Sequence, residues 1–211
     1  LVTLASLALF LFGTYLLYVG GVPVVVVGLA AIAVSLLYSL EITDLPLHDL
    51  NFFRFFGPVS VAGTYYVQAA AVLADSVPPC FPPGSFPLGA VIAGVPIGAI
   101  TTAILVVDNI RDLEYDRPKD DVTLAVVIGE RWSRVEYNLL LFGAYAVLPA
   151  LWLGLEMSAG VVLPLASLPL AVLVAHRMSR ARSYPALLPL SPRTGQVLLV
   201  FAALLAVGST L

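Results

Sequence analysis

The chain is a succession of apolar runs, most of them long enough to cross a lipid bilayer, and that property excludes most folds. A helix needs about 20 residues to cross the hydrocarbon core, and runs near that length occupy 1–19, 22–39, 53–74, 87–107, 134–154, 159–176 and 194–211. In lipid every backbone N–H and C=O must be paired, so such runs are helices rather than open strands. Composition agrees: 60% of the 211 residues are hydrophobic, 11% are charged and the mean hydropathy is +1.01, whereas soluble domains carry about 25% charged residues. The expected fold class is all-α, a polytopic transmembrane helix bundle of about seven spans. It forms a single domain, 1–211, with no soluble domain and no internal repeat.

The breaks between the runs carry their own signals. Gly20-Gly21-Val22-Pro23 predicts a tight turn between the first two spans, with proline at a helix start. The segment "PPCFPPGSFP" (78–87) predicts a rigid turn that is not helix. Pro96 predicts a kink in the fourth span, and Gly94 and Gly98 beside it permit close approach of a neighbouring helix. A lone cysteine, Cys80, excludes an internal disulfide and a Cys-rich metal site. His48 and His176 lie far apart without metal-ligand spacing. No signal peptide is visible and the chain opens within a helix at Leu1, without methionine, so an N-terminally truncated fragment is expected.

Alternating seven spans puts residues 40–52, 108–133 and 177–193 on one side of the membrane. All ten Lys and Arg residues fall in or beside those three connections, and the opposite side keeps only Asp75 and Glu156. By the positive-inside rule the charged side is cytoplasmic. The expected protein is thus a multi-pass component of the cell membrane with its charged mouth facing the cytoplasm. "RMSRARS" (177–183) is expected to anchor its span to anionic lipid, and no nucleic acid partner is expected.

Charge is densest in "DNIRDLEYDRPKDD" (108–121), at the head of the connection read as a cytoplasmic aspartate-rich loop, 108–133. Asp108, Asp112 and Asp116 are spaced so that a helix would stack them along one face over about 12 Å. Carboxylates on one face repel one another unless cations sit between them. Hard oxygen ligands suit Mg²⁺, which keeps several waters and bridges carboxylates to substrate phosphates. Arg111, Arg117 and Lys119 are interleaved and suited to the remaining phosphate oxygens, and Asn109 either binds a metal-bound water or caps local backbone. The alternative reading is a solvated loop. Against it, the stretch continues directly from an apolar span, so Asp108 lies at membrane depth, where ionisable groups are functional by default. A transporter or channel with an ion site is a further alternative, but transporters place such groups near the midplane, and these acids cluster at one mouth.

The longer stretch "DNIRDLEYDRPKDDVTLAVVIGERWSR" resembles the second aspartate-rich motif of the UbiA-type intramembrane prenyltransferases. More narrowly, it is similar to the 1,4-dihydroxy-2-naphthoate prenyltransferases of menaquinone biosynthesis, where N-N-x-R-D-x-x-x-D is followed by Gly-Lys and T-L-A-V-x-x-G. Asn109, Arg111, Asp112, Asp116, Thr123, Leu124, Ala125, Val126 and Gly129 match that pattern. "FFGPVSVAGTYYVQ" (55–68) resembles the same subfamily's F-G-P-x-x-V-x-G-T-Y-Y-V-Q segment, and "LLPLSPRTGQ" (187–196) sits where the family has its last cytoplasmic loop. There are departures: the family's leading Asn is Asp108, its Gly-Lys pair is Asp120-Asp121, and Asp49 stands where a glutamate is expected. The family also has nine helices and a first aspartate-rich motif after its second helix, neither matched by this chain.

The resemblance implies transfer of a polyprenyl group from its diphosphate to an aromatic acceptor, on the pattern of 1,4-dihydroxy-2-naphthoate, with 4-hydroxybenzoate as the alternative acceptor and an inactive fragment as the alternative state. Mg²⁺ held by Asp108, Asp112 and Asp116 would help the diphosphate leave. Tyr65 and Tyr66 are the candidates for stabilising the allylic cation, and Gln68 either touches substrate or pairs with a neighbouring helix.

Overall fold

Apolar runs become helices wherever proline or glycine does not interrupt backbone pairing, and a computed structural model bears this out. It describes residues 2–39, 48–73, 81–117 and 123–211, which contain eight α-helices and no strand. Helix α1, Val2–Ser39, consists of two arms that meet at Gly21, where φ 62° and ψ −151° leave the helical region. The first two expected spans are therefore two arms of one helical stretch. Helix α2, His48–Arg54, passes through a π-helical turn, Phe55–Val59, into α3, Ser60–Leu73. Pro58 has no N–H to give to the preceding turn, and the wider turn accommodates it: the Ser60 N–H reaches back to Phe55 O.

Helix α4, Leu88–Asp116, is followed by α5, Leu124–Ala146. A 3₁₀ stretch, Ala159–Ser167, leads into α6, Leu168–Arg180, and then come α7, Tyr184–Leu187, and α8, Leu190–Gly208. Among the described residues five stretches are long and apolar enough to cross a membrane: Phe10–Ala30, Leu88–Asp116, Leu124–Gly154, Ala159–Arg180 and Tyr184–Gly208. The chain is a multi-pass membrane protein. The connection expected at 108–133 is mostly helix, because α4 runs on to Asp116 and α5 begins at Leu124. Charged side chains at a bilayer boundary leave the backbone ladder intact, and Arg, Leu and Glu are good helix formers. Of the turn expected at 78–87, the described residues 81–87 are non-helical, with Gly84 at φ 82° and both Ser85 N–H and Ser85 Oγ donating to Pro82 O. Cys80 lies outside the described residues.

Helix α4 is the centre of the bundle. Its Ile100, Ala103, Val106 and Val107 are sealed against Tyr137 and Leu141 of α5 and Val197 and Phe201 of α8. On another side it meets the α2–α3 rod backbone to backbone. A Cβ added to Gly94 would stand 2.6 Å from Pro58 Cα, and one on Gly98 would stand 2.5 Å from Phe53 O, so the close approach expected of these glycines is realised. Two pairs of buried hydroxyls satisfy each other, which lowers the cost of placing them in an apolar interior: Tyr137 with Thr194 at 3.1 Å, and Tyr145 with Ser167 at 2.8 Å. These contacts bring the polar ends of α2, α4, α5, α6 and α8 together at one end of the bundle.

Candidate functional site

The last turns of α4 carry the aspartates. Asp108 Oδ1 accepts from Ser191 Oγ at 2.6 Å and from Arg111 Nη1 at 2.5 Å. The same guanidinium grips Asp112 with two donors, Nε to Oδ1 at 2.9 Å and Nη2 to Oδ2 at 2.5 Å, the fork geometry that suits Arg to carboxylates. The Tyr184 ring lies with its centroid 5.9 Å from Arg111 Cζ, at the outer edge of cation–π range. The cation expected between these carboxylates is, in this structure, a guanidinium.

Beyond it opens a cleft of about 700 Å³, whose lining includes Arg111, Asp112, Asp116, Arg117, Arg182 and Tyr184. Its size is that of small-molecule sites, roughly 300–1,000 Å³. The 181–184 arm that supplies Arg182 and Tyr184 is fixed by Arg134 of α5. Its guanidinium donates to Met178 O and, at 2.6 Å, to Ala181 O, satisfying carbonyls at the end of α6. Glu130 in turn holds Arg134 at 2.7 Å. The start of α5 is set by Thr123, whose side chain accepts from Val126 N–H as an N-cap, and by a break at Gly129, whose φ of 80° suits glycine.

Asn109 turns to a different neighbour. Its Nδ2 donates to Asp49 Oδ1 at 3.3 Å, and Asp49, in the first turn of α2, is only 4% exposed. Burial raises the Asp49 carboxyl above the ordinary carboxylate range, while the neighbouring Glu136 and Asn109 side chains pull it back down.

The sequence-predicted residues are thus partly assembled. Asp108, Arg111, Asp112, Asp116 and Arg117 gather at or beside the cleft, and Asn109 joins them through α4. Lys119 lies outside the described residues. Tyr65, Tyr66 and Gln68 are not brought to the cleft. Tyr66 stands about 25 Å along the α2–α3 rod from Asp49, at 1.5 Å per residue. It is buried, with its OH donating to Gly20 O at 2.6 Å and its ring edge-on to Phe81 at 4.9 Å. Gln68 and Tyr66 line a separate cleft of about 590 Å³ between α1 and α3, and Tyr65 is exposed. Sequence reasoning missed Ser191, Tyr184, Arg182, Arg134 and the Asn109–Asp49 bond. The only signal for the first three was their place in the connection 177–193 after the sixth span.

Among the described residues no three His, Cys, Asp or Glu side chains converge as a metal cage. Asp108 and Asp112 do converge on one cation, the Arg111 guanidinium. Such a donor set fits Mg²⁺ held by one or two carboxylates and completed by phosphate oxygens and water.

The chain is similar to several known proteins. The chain is 37% identical over 125 residues to mouse UbiA prenyltransferase domain-containing protein 1, a match covering 59% of this chain and 32% of the relative. It is 34% identical over 154 residues to 1,4-dihydroxy-2-naphthoate octaprenyltransferase of Mycobacterium tuberculosis, covering 73% and 47%. With the protein of the same name from Mycobacterium leprae it shares 32% identity over 163 residues, covering 77% and 50%. The matches thus span half or less of the length of these relatives. Residues 1–190 match the family model described as the UbiA prenyltransferase family. With nearly its whole length inside that match and its aspartates and arginines gathered at one end of a membrane helix bundle, the chain belongs to the UbiA prenyltransferase family.

Proposed function

We propose that the protein transfers a polyprenyl group from its diphosphate to 1,4-dihydroxy-2-naphthoate, in menaquinone biosynthesis. The observation that carries the transferase reading is the cleft itself: carboxylates of α4 interleaved with Arg111, Arg117 and Arg182 where membrane helices end. That surface presents acids for a divalent cation and guanidiniums for phosphate oxygens, while the apolar helices leave the prenyl tail in lipid. Mg²⁺, when bound, would supply charge neutralisation and Lewis acidity at the diphosphate. Asp108, Asp112 and Asp116 would hold it, and Arg111 and Arg117 would take phosphate oxygens in bidentate fashion.

The bond changes balance without an added reactant. The allylic C–O bond breaks with its electron pair going to diphosphate. A ring carbon forms the new C–C bond, and the carboxylate leaves as CO₂, returning its pair to the ring. The choice of acceptor is supported by the two sequence blocks, 55–68 and 108–129, and by the mycobacterial relatives. The basic residues collected at the cleft end support an orientation with this mouth toward the cytoplasm of the cell membrane.

The test is acceptor choice. Full-length protein in proteoliposomes, given radiolabelled prenyl diphosphate, should prenylate 1,4-dihydroxy-2-naphthoate with release of CO₂ and transfer little to 4-hydroxybenzoate. Equal or reversed use would move the protein to another branch of the family.

A further inference from the structure

A nearly sealed carboxylate needs an explanation, because burying a charge with few partners costs stability. Asp49 is 4% exposed, and Asn109 reaches it at 3.3 Å from a helix about sixty positions away in sequence. The neighbouring Glu136 side chain of α5, like Asn109, favours the Asp49 charge, but burial outweighs both and the location stays unfavourable for a carboxylate. Stability therefore does not account for Asp49.

The chemistry of Asn109 does. Around α4, at 3.6 residues per turn, Asn109 lies about 20° from Asp116 and about 60° from Asp112, so it shares the face that carries the aspartates. An Asn side chain has two ends of opposite character, an NH₂ that only donates and a carbonyl oxygen that only accepts. A rotation about χ2 exchanges them at almost no cost in shape. An ionised carboxylate only accepts, so it selects one of the two orientations.

We propose that Asp49 is a positioning residue: by taking the NH₂ end of Asn109 it turns the Asn109 carbonyl oxygen toward the aspartate face, as a neutral oxygen ligand for the divalent cation of the cleft. The proposal deepens the reading under Proposed function and rests on it for the cation. Groups that orient a ligand from behind typically change metal affinity by 10–100-fold when removed. Asp49→Asn keeps the shape but lets the pair bond in either direction, so the orientation is no longer selected. The double variant Asp49→Asn/Asn109→Asp reverses the pair: the amide at 49 donates and a carboxylate oxygen at 109 faces the site.

The experiment is Mn²⁺ titration followed by EPR on full-length protein in nanodiscs, with thermal unfolding of the same samples. Asp49→Asn should weaken Mn²⁺ binding about tenfold while Tm stays constant or rises, because a buried charge is gone. The double variant should return the affinity to within about threefold of wild type, most of that tenfold loss. The role is overturned by an Asp49→Asn affinity within twofold of wild type, by a double variant that binds no better than the single one, or by a wild type that binds no Mn²⁺. A fall in Tm, with or without a change in affinity, makes Asp49 a structural residue and overturns it too. Wild-type protein that binds Mn²⁺ but transfers no prenyl group sinks the transferase reading instead, and the affinities still decide the role of Asp49.

Discussion

Arg111 holds two aspartates at once, at 2.5 Å each, so a divalent cation that reaches Asp112 must compete with a guanidinium already in place. Diphosphate resolves that competition, since it offers Arg111 oxygens of its own and brings charge for the metal. Asp112→Asn or Asp116→Asn keeps size and hydrogen bonding but removes the charge. Turnover in the proteoliposome assay should fall by about 10²-fold, about 2.7 kcal/mol of transition-state stabilisation. Arg54→Gln, at the junction of α2 and its π-helical turn, should cost much less. Unchanged turnover in both aspartate variants would reduce the acidic face to a solvated helix end. The spacing of Asp108, Asp112 and Asp116 was readable because helical periodicity is local. Their partners were not: Ser191 comes to Asp108 from 83 positions away and Asp49 to Asn109 from 60, distances at which spacing carries no information.

At the level of helices, the block 55–68 is explained more by packing than by chemistry. Gly57 and Pro58 press against Gly94 and Gly98, and a Cβ on Gly57 would stand 2.6 Å from both Gly94 O and Gly98 Cα. Backbone cannot yield as a flexible side chain does, so Gly94→Ala or Gly98→Ala must push α4 off the α2–α3 rod. Each should lower stability by about 1–3 kcal/mol, seen as a lower Tm in detergent. Gly143→Ala in α5, where nothing lies within 4 Å, is the control and should be neutral or gain up to about 1 kcal/mol of helix propensity. Equal behaviour of Gly94 and Gly143 would show that the two helices are not in contact at these glycines. The sequence signalled this contact because small residues spaced four apart mark close helix approach. It misjudged where α4 ends, because an apolar run stops at the bilayer boundary whereas a helix stops only where its backbone pairing does. Tyr66 shows a related limit: a polar aromatic in a motif block is equally suited to substrate and to a backbone carbonyl, and in this structure its OH donates to Gly20 O.

Over the whole molecule, three charged segments that are distant in the chain meet at one end of the bundle. Asp49 touches Asn109, Arg134 binds the carbonyls of Met178 and Ala181, and Ser191 binds Asp108. Convergence of this kind requires the connections to lie on a common side, as alternation of the spans had indicated, and it ties the cleft to the fate of the basic residues around it. If those residues set orientation, the cleft opens to the cytoplasm, and a charged diphosphate made there enters without crossing lipid. Ser183 lines the cleft and is exposed, and Glu156 lies exposed in the connection between α5 and α6. In a Cys80→Ser background, Glu156→Cys should react with a membrane-impermeant maleimide on intact cells, and Ser183→Cys only after permeabilisation. The reverse pattern would place the cleft outside the cell. A diphosphate substrate would then have to be exported before it could react, so the orientation and the proposed substrate would fall together.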